Sequence, residues 1–94
     1  MVIKDKMKAQ NILIGLLLRE ARLKNNMTQQ QVAEKMNLTR ESISQYEYGK
    51  RSINITDFFE MCYKCNFDAD SIIDAVRNAS EKELISLLKK SSKS

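Results

Sequence analysis

The 94-residue sequence contains no proline, no histidine and only two glycines. Because all-β domains need turn residues at short intervals, this scarcity favours short helices joined by tight corners. The absence of histidine removes the commonest acid–base group, and the chain has no glycine-rich phosphate loop, nucleophile motif or metal motif. We therefore expect a protein that is not an enzyme and that uses neither a cofactor nor a metal.

Long hydrophobic runs are also missing. The longest apolar stretch, residues 12–18, is interrupted by Gly15 and is followed by the charged residues Arg19 and Glu20. It is too short to cross a bilayer, and no small-residue cleavage site of a signal peptide follows it. The sequence therefore predicts a soluble, cytoplasmic protein that makes no membrane contact.

The only cysteines, Cys62 and Cys65, form a CxxC pair. Without histidine or a second such pair, one chain cannot supply the four ligands of a zinc site. The apolar spacing around the pair is typical of a helix and places both thiols near a core face. We interpret them as buried structural cysteines, in preference to a redox or metal-binding pair.

The composition of the chain describes a small, basic, folded domain. Hydrophobic residues make up 43% and charged residues 30%, which is typical of neither a disordered nor a membrane protein. The length suits a single domain with a modest core. The formal net charge of +4 favours an anionic partner, either nucleic acid or an acidic protein surface.

One pattern recurs along the chain: a helix-capping residue, then a short amphipathic helix, then a residue that ends the helix by adopting a left-handed backbone conformation. The first helix is predicted over about residues 12–25. A second begins after the cap Thr28 and ends at Asn37, and a third begins after the cap Thr39 and ends at Gly49. Three more helices are predicted at 55–65, from about residue 68, and after residue 80. The fold class predicted from these elements is all-α.

The second and third helices have almost no linker between them. So tight a corner forces the helices to cross steeply and requires a small residue where they touch, which Ala33 supplies. Asn37 provides a left-handed turn four residues later, and Ile43 fills the wedge between the helices. A small residue, a left-handed turn and an aliphatic residue at these offsets indicate a helix-turn-helix.

The segment REARLKNNMTQQQVAEKMNLTRESISQYEYGKRSINITDFFEMCYKCNF resembles the phage-repressor and Cro-like family, often called XRE-like. The resemblance extends over residues 14–68, and the MTQ start of the second helix, its QVAEKM core and the ISQYEYGKR segment all fall in register. It implies a compact five-helix DNA-binding domain, followed here by an additional C-terminal helix. It also implies a sequence-specific transcriptional regulator that binds a palindromic operator on double-stranded DNA as a homodimer. We expect this regulator to be a repressor.

The resemblance implies three groups of functional residues. The first reads base edges in the major groove and comprises Arg40, Glu41, Ser44 and Gln45. The second holds the DNA backbone and comprises Gln29, Thr39, Lys50 and Arg51. The third is a structural ion pair between Arg22 and Glu47. The chemistry of the first group agrees, because arginine can bind guanine, glutamine adenine and glutamate the amino group of cytosine.

The sequence departs from the family pattern at several helix ends. At three helix ends where the family commonly has glycine, this sequence has asparagine, namely Asn26, Asn37 and Asn66. Asparagine permits the same left-handed backbone conformation. Tyr48 occupies a position where a small polar residue often touches phosphate, which puts that contact in doubt.

The sequence divides into four parts under this interpretation. Residues 1–11 form an N-terminal arm or an extension of the first helix, 12–67 the helix-turn-helix domain, 68–90 the C-terminal helices, and 91–94 a tail. The C-terminal helices are candidates for dimerisation through an exposed apolar seam formed by Ile72, Ile73, Val76, Leu84, Leu87 and Leu88. In the alternative, the last helix folds back on its own domain.

Two other functions remain open from the sequence. Antitoxins of the same family bind a protein partner as well as DNA, and the C-terminal helices could hold such a partner. Restriction-modification controller proteins are similarly short, and they activate transcription as well as repress it. The sequence does not give the operator, the regulated genes or the direction of regulation.

Overall fold

The computed structural model describes residues 2–92, with side chains described up to residue 90, and this part of the chain is all-helical. Its six helices are α1 (Ile3–Lys24), α2 (Gln29–Met36), α3 (Arg40–Glu47), α4 (Ile55–Cys65), α5 (Ala69–Asn78) and α6 (Glu81–Ser92). The all-α fold predicted from the sequence is confirmed. None of these described helices combines the length and hydrophobicity that crossing a membrane requires. Residue 1, and residues 93 and 94 of the predicted tail, lie outside the described range.

Five side chains cap the helices that follow α1. Each accepts a hydrogen bond of 2.8–3.1 Å from the backbone N–H three residues further on. These capping side chains are Thr28, Thr39, Asn54, Asp68 and Ser80. Gln31 also accepts from the backbone of Thr28, which completes the capping box. Since a cap contributes about 1 kcal/mol, these local signals define where α2 to α6 begin.

The residues predicted to end helices in a left-handed conformation adopt that conformation. Asn26, Asn37 and Asn66 have φ values of 57°, 56° and 60°, and Gly49 has a φ of 71°. Asparagine adopts this conformation more readily than other residues with a side chain. The chain can therefore turn sharply after α1, α2 and α4 without glycine.

The helices enclose one hydrophobic core centred on the α2–α3 crossing. Val32 and Ala33 on α2 and Ile43 on α3 are buried together with Leu18 of α1 and Met61 of α4. Ala33 has no exposed surface, in agreement with its predicted place where the two helices touch. A larger side chain there would separate α2 from α3.

The first helix is longer than its apolar pattern predicts. It begins at Ile3, so residues 3–11 extend this helix and do not form a separate arm. Ala9, within the extension, is fully buried, and α6 packs along α1. The added turns are thus stabilised by a contact between the two ends of the chain, which the local sequence does not encode.

The predicted C-terminal apolar seam does not exist as one exposed surface. Ile72 and Leu84 are buried, and Leu87 and Leu88 are half-buried. Because α6 lies against α1, the alternative in which the last helix folds back on its own domain is the arrangement found. The α5 residues of the predicted seam, Ile72, Ile73 and Val76, line a separate groove, described below, and Ile73 is 38% exposed.

Cys62 and Cys65 lie on the inner face of α4 as free thiols. Burial raises the pKa of the Cys62 thiol to about 11, helped by repulsion from the ionised form of Cys65 and from Asp68. Burial also raises the pKa of Cys65. A protonated, buried thiol is a poor nucleophile, so both cysteines behave as small core side chains.

We expect these thiols to react slowly while the protein is folded. At about pH 9, alkylation of native protein should be more than about tenfold slower than alkylation of urea-unfolded protein, because only the thiolate reacts. The unfolded sample is the control and should show both thiols reacting. Equal rates in the two samples would contradict the burial and raised pKa assigned to Cys62.

Candidate nucleic-acid interface

The corner between α2 and α3 is closed by backbone hydrogen bonds. The N–H of Leu38 donates to the carbonyl of Ala33 at 2.9 Å, across the left-handed residue Asn37. Thr39 then caps α3 by accepting from the N–H of Ser42. With both sides of the turn held in this way, α3 leaves the corner in a fixed direction, as a helix-turn-helix requires.

A close backbone approach holds the other end of α3 against α1. A Cβ atom at Gly15 would overlap the carbonyl oxygen of Tyr46 and would lie 2.6 Å from that of Glu47. A Cβ atom at Gly49 would lie 2.7 Å from the Cα atom of Ile12. Both glycines of the chain therefore allow the same close approach, between α1 and the C-terminal end of α3. This approach sets the position of α3 on the domain.

The sequence interpretation missed the role of Gly15. It treated this residue only as an interruption of the apolar stretch. A glycine inside a helix costs about 1 kcal/mol relative to alanine, so its presence there is a signal of close packing. That signal could have indicated a close backbone approach to α1 at Gly15, although not that α3 makes it.

Arg22 and Glu47 are in direct contact in the interior. Arg22 donates to both carboxylate oxygens of Glu47, from Nε to Oε2 at 2.6 Å and from Nη2 to Oε1 at 3.0 Å. Nη1 of Arg22 donates to the carbonyl of Met27 at 2.9 Å. The residues are only 8% and 6% exposed. This two-bond ion pair ties the end of α1 to the end of α3 and to the loop before α2.

The hydrogen-bond network continues from Glu47 towards the surface. Nε2 of Gln29 donates to Oε1 of Glu47 at 3.0 Å. Nη1 of Arg40 in turn donates to Oε1 of Gln29 at 3.4 Å. Gln29, which the resemblance assigns to a phosphate, is therefore bonded on both sides within the protein.

The four residues assigned to base reading share one face of α3. Arg40 and Glu41 are exposed, and Ser44 and Gln45 are half-buried. The opposite face carries Ile43 and Tyr46, which are buried in the core. The structure thus presents a polar strip with donors and acceptors along the first two turns of the helix.

The loop after α3 carries two exposed cations that lie beside this strip. The guanidinium of Arg51 lies 5.3 Å from the centre of the Tyr46 ring, and its Nη1 donates to Oγ of Ser42 at 3.4 Å. The ammonium group of Lys50 lies 6.0 Å from the centre of the Tyr48 ring. The backbone N–H groups of Lys50 and Arg51 donate to the carbonyl of Gln45 at 2.9 and 3.3 Å, so this positively charged loop adjoins the end of the polar strip, as an anionic ligand along that helix requires.

A family model described as helix-turn-helix matches residues 18–70, which is more than half of the chain and includes the whole of α2, α3 and α4. No curated protein matches the chain. The matched range contains the tight corner, the capped α3 and the polar strip described above. Members of the matched family are DNA-binding regulators and are generally not enzymes. The chain belongs to the phage-repressor and Cro-like, or XRE-like, helix-turn-helix family of DNA-binding transcriptional regulators.

Proposed function

We propose that the protein is a sequence-specific repressor that binds a palindromic operator as a homodimer, with α3 in the major groove. The observation that carries this proposal is the polar strip of α3, in which Arg40 and Glu41 are exposed and Ser44 and Gln45 half-buried, with the loop of Lys50 and Arg51 bonded to its end. A helix of this diameter fits the major groove of B-DNA, where each base pair presents a distinct pattern of donors and acceptors. A dimer bound across a promoter represses by occupying the site.

Within this proposal, the chemistry of each side chain determines whether it contacts a base or a phosphate. Arg40 offers a fork of donors for guanine, Gln45 offers a donor and an acceptor for adenine, and Glu41 accepts from cytosine. Lys50 and Arg51 hold phosphates, which position the helix without reading sequence. Thr39, the residue before α3, is the further backbone contact of this proposal, and its hydroxyl caps the helix by accepting from the N–H of Ser42.

Replacing Gln45 with alanine should weaken operator binding by about 1–3 kcal/mol and relax the base preference at one position. The physical reason is the loss of a paired donor and acceptor at a single base edge. Titration of the variant against the operator and its single-base variants measures this. An equal loss of affinity on every sequence would contradict base reading by Gln45.

Replacing Lys50 with alanine should weaken binding to all DNA sequences to a similar extent. It should also reduce the slope of log affinity against log salt by about one unit, because one phosphate contact no longer releases a counterion. Lys82→Ala is the matched control, since Lys82 is an exposed lysine on α6, outside the proposed interface. An unchanged salt slope for Lys50→Ala would remove Lys50 from the backbone contacts.

An apolar groove between α1, α4 and α5 supports the homodimer. Its lining residues are Ile14, Ile53, Ile55, Phe58, Ile72, Ile73, Val76 and Arg77. Ile55 is 63% exposed there, and it follows the Lys50–Arg51 loop by only a few residues. A second copy docked on this groove would lie next to the DNA-contacting loop. Two α3 helices about 34 Å apart could then enter successive major grooves on one face of the DNA.

The oligomeric state can be measured by sedimentation at about micromolar concentration. We expect a dimer for the wild-type chain and a shift towards monomer for Ile55→Glu, because burying a carboxylate in an apolar groove is unfavourable and Arg77, the one cation among the described residues that line it, already pairs with Asp74. Tyr63→Glu is the matched control on α4, since Tyr63 is 82% exposed and does not line the groove. A wild-type monomer at all concentrations would end the homodimer proposal.

The direction of regulation can be tested with a reporter gene whose promoter contains the selected operator. A repressor lowers expression of the reporter when the protein is present. Raised expression would instead identify an activator, and the proposed role in repression would be wrong. The Gln45→Ala variant serves as the control that retains the fold but weakens operator binding.

A further inference from the structure

The N-terminal extension of α1, residues 3–11, carries two large apolar side chains on its outer side. Ile3 and Met7 are one helical turn apart and are 78% and 59% exposed. Ala9 is fully buried and marks the side on which the extension packs against the domain. Met7 lies about 160° around the helix from Ala9, at 100° per residue. The helix cannot bury both sides within one chain, so Ile3 and Met7 form an uncovered stripe, called the α1 stripe below.

The α1 stripe is continuous with the apolar groove between α1, α4 and α5. Ile14 lines that groove and follows Met7 by seven residues, which is close to two full turns, so the two side chains share a face of α1. Ile3 lies about 16 Å from Ile14 along the helix axis, at 1.5 Å per residue. Because α1 is one continuous helix, Ile3 and Met7 cannot fold back into the groove of their own chain. A raised apolar ridge and an apolar hollow therefore lie end to end on one surface.

We propose that the α1 stripe of each copy lies in the apolar groove of the other copy in the homodimer. This inference rests on the proposed homodimer and names a further segment that forms it. A twofold axis makes the contact reciprocal, since the surface that docks on one side receives its equivalent on the other. The two α1 helices pass each other in opposite directions. Ile3 and Met7 of one copy then meet the groove residues Ile55 and Ile73 of the second, as apolar anchors of a helix fill a groove.

The size of the groove supports this arrangement. Eight residues line it, whereas a stable protein interface uses roughly 20–30 residues on each side. The groove alone is thus too small to hold two copies together. The α1 stripe and its neighbours enlarge the interface in the direction in which exposed apolar surface continues.

The charges of the two surfaces are complementary. Residues 3–11 contain three lysines and one aspartate, whereas α4 and α5 together contain four carboxylates and two cations. The extension is therefore attracted to the helices that form the groove of another copy. Two extensions placed against each other would bring like charges together, which is unfavourable. The charges favour docking of the stripe into the groove over docking of one stripe on another.

Replacing Met7 with glutamate tests the contribution of the stripe. We expect the dissociation constant of the dimer, measured by sedimentation, to rise on the order of tenfold or more, because the contact buries a carboxylate among apolar side chains. Leu23→Glu is the matched control and should leave the constant unchanged. Leu23 is 52% exposed on the same helix and lies about 160° around it from Met7. Thermal unfolding checks that both variants are folded.

The results of these measurements separate this inference from the homodimer proposal. A wild-type monomer at all concentrations would end both. A dimer that is weakened by Ile55→Glu but not by Met7→Glu would contradict docking of the α1 stripe, and the homodimer through the groove would stand.

Cross-linking of a mixture of two variants identifies what the stripe touches. We expect a short bis-maleimide to join Met7→Cys protein to Ile55→Cys protein when the two are mixed, and to join neither variant efficiently to itself. Cys62 and Cys65 do not interfere, because both thiols are buried and burial raises the pKa of each. Efficient cross-linking of Met7→Cys alone, or none in the mixture, would overturn the docking of the stripe into the groove.

Discussion

The Glu47→Ala variant is expected to lose about 3–5 kcal/mol of unfolding free energy, because it leaves the Arg22 guanidinium buried without its counter-charge. Arg22 is 8% exposed and would keep only its hydrogen bond to the Met27 carbonyl. A domain of this size has a total stability of only about 5–15 kcal/mol. The variant should therefore be partly unfolded near physiological temperature, and DNA binding should fall with the folded fraction.

Urea denaturation followed by circular dichroism measures this loss. The double variant Arg22→Met with Glu47→Leu is the informative control, since replacing both charges with apolar groups of similar size is often neutral or stabilising. We expect it to be much more stable than Glu47→Ala. A loss below about 1 kcal/mol for Glu47→Ala would mean that the ion pair is hydrated and not buried.

The Gly15→Ala variant is expected to lose about 1–3 kcal/mol of stability, although alanine is the better helix former. The added methyl group would overlap the Tyr46 carbonyl and crowd that of Glu47, which are backbone atoms that cannot rotate away. The clash can be relieved only if α1 and α3 move apart. Because α3 carries the polar strip, operator affinity should fall even in the fraction that remains folded.

Thermal unfolding and DNA titration of the same samples separate these two effects. Glu20→Ala is a suitable control, because Glu20 is an exposed residue on the same helix, and its substitution should be nearly neutral. If Gly15→Ala were as stable as the wild type, or more stable, the close approach of α1 to α3 would be wrong.

The parts of the fold that local signals encode could be predicted from the sequence. Thr28, Thr39 and Asn54 each precede a helix and cap it, and Asn37 and Asn66 end helices with a left-handed residue. A cap and a left-handed stop act over about four residues, so they can be read without knowing what the helix packs against. The boundaries of α2 to α5 follow from such signals.

The parts that depend on distant contacts could not be predicted in this way. α1 begins at Ile3 and packs against α6, a contact between segments separated by most of the chain. The same contact buries Leu84, so that only the α5 residues of the predicted C-terminal seam line an open groove. The sequence shows the apolar pattern of each helix, but such a pattern indicates only that one face of the helix is buried. It does not indicate which other segment of the chain buries that face.

A similar division holds for the candidate site. The residue types on α3 and the Arg22–Glu47 pair could be assigned from the resemblance, and the structure shows which of them lie together. The hydrogen bonds of Gln29 to Glu47 and Arg40 could not be assigned, because a glutamine side chain has several rotamers and two amide orientations. The bonding of Gln29 becomes definite only when three helices are in place.

The measurement that tests sequence-specific DNA recognition most directly is a selection from random duplex DNA with purified wild-type protein at physiological salt. We expect enrichment of a palindrome whose half-sites are about one helical turn apart, as two α3 helices related by a dimer axis require. Binding that is weak, sensitive to salt and without any enriched sequence would contradict base reading by α3 and would leave only a nonspecific electrostatic contact with DNA.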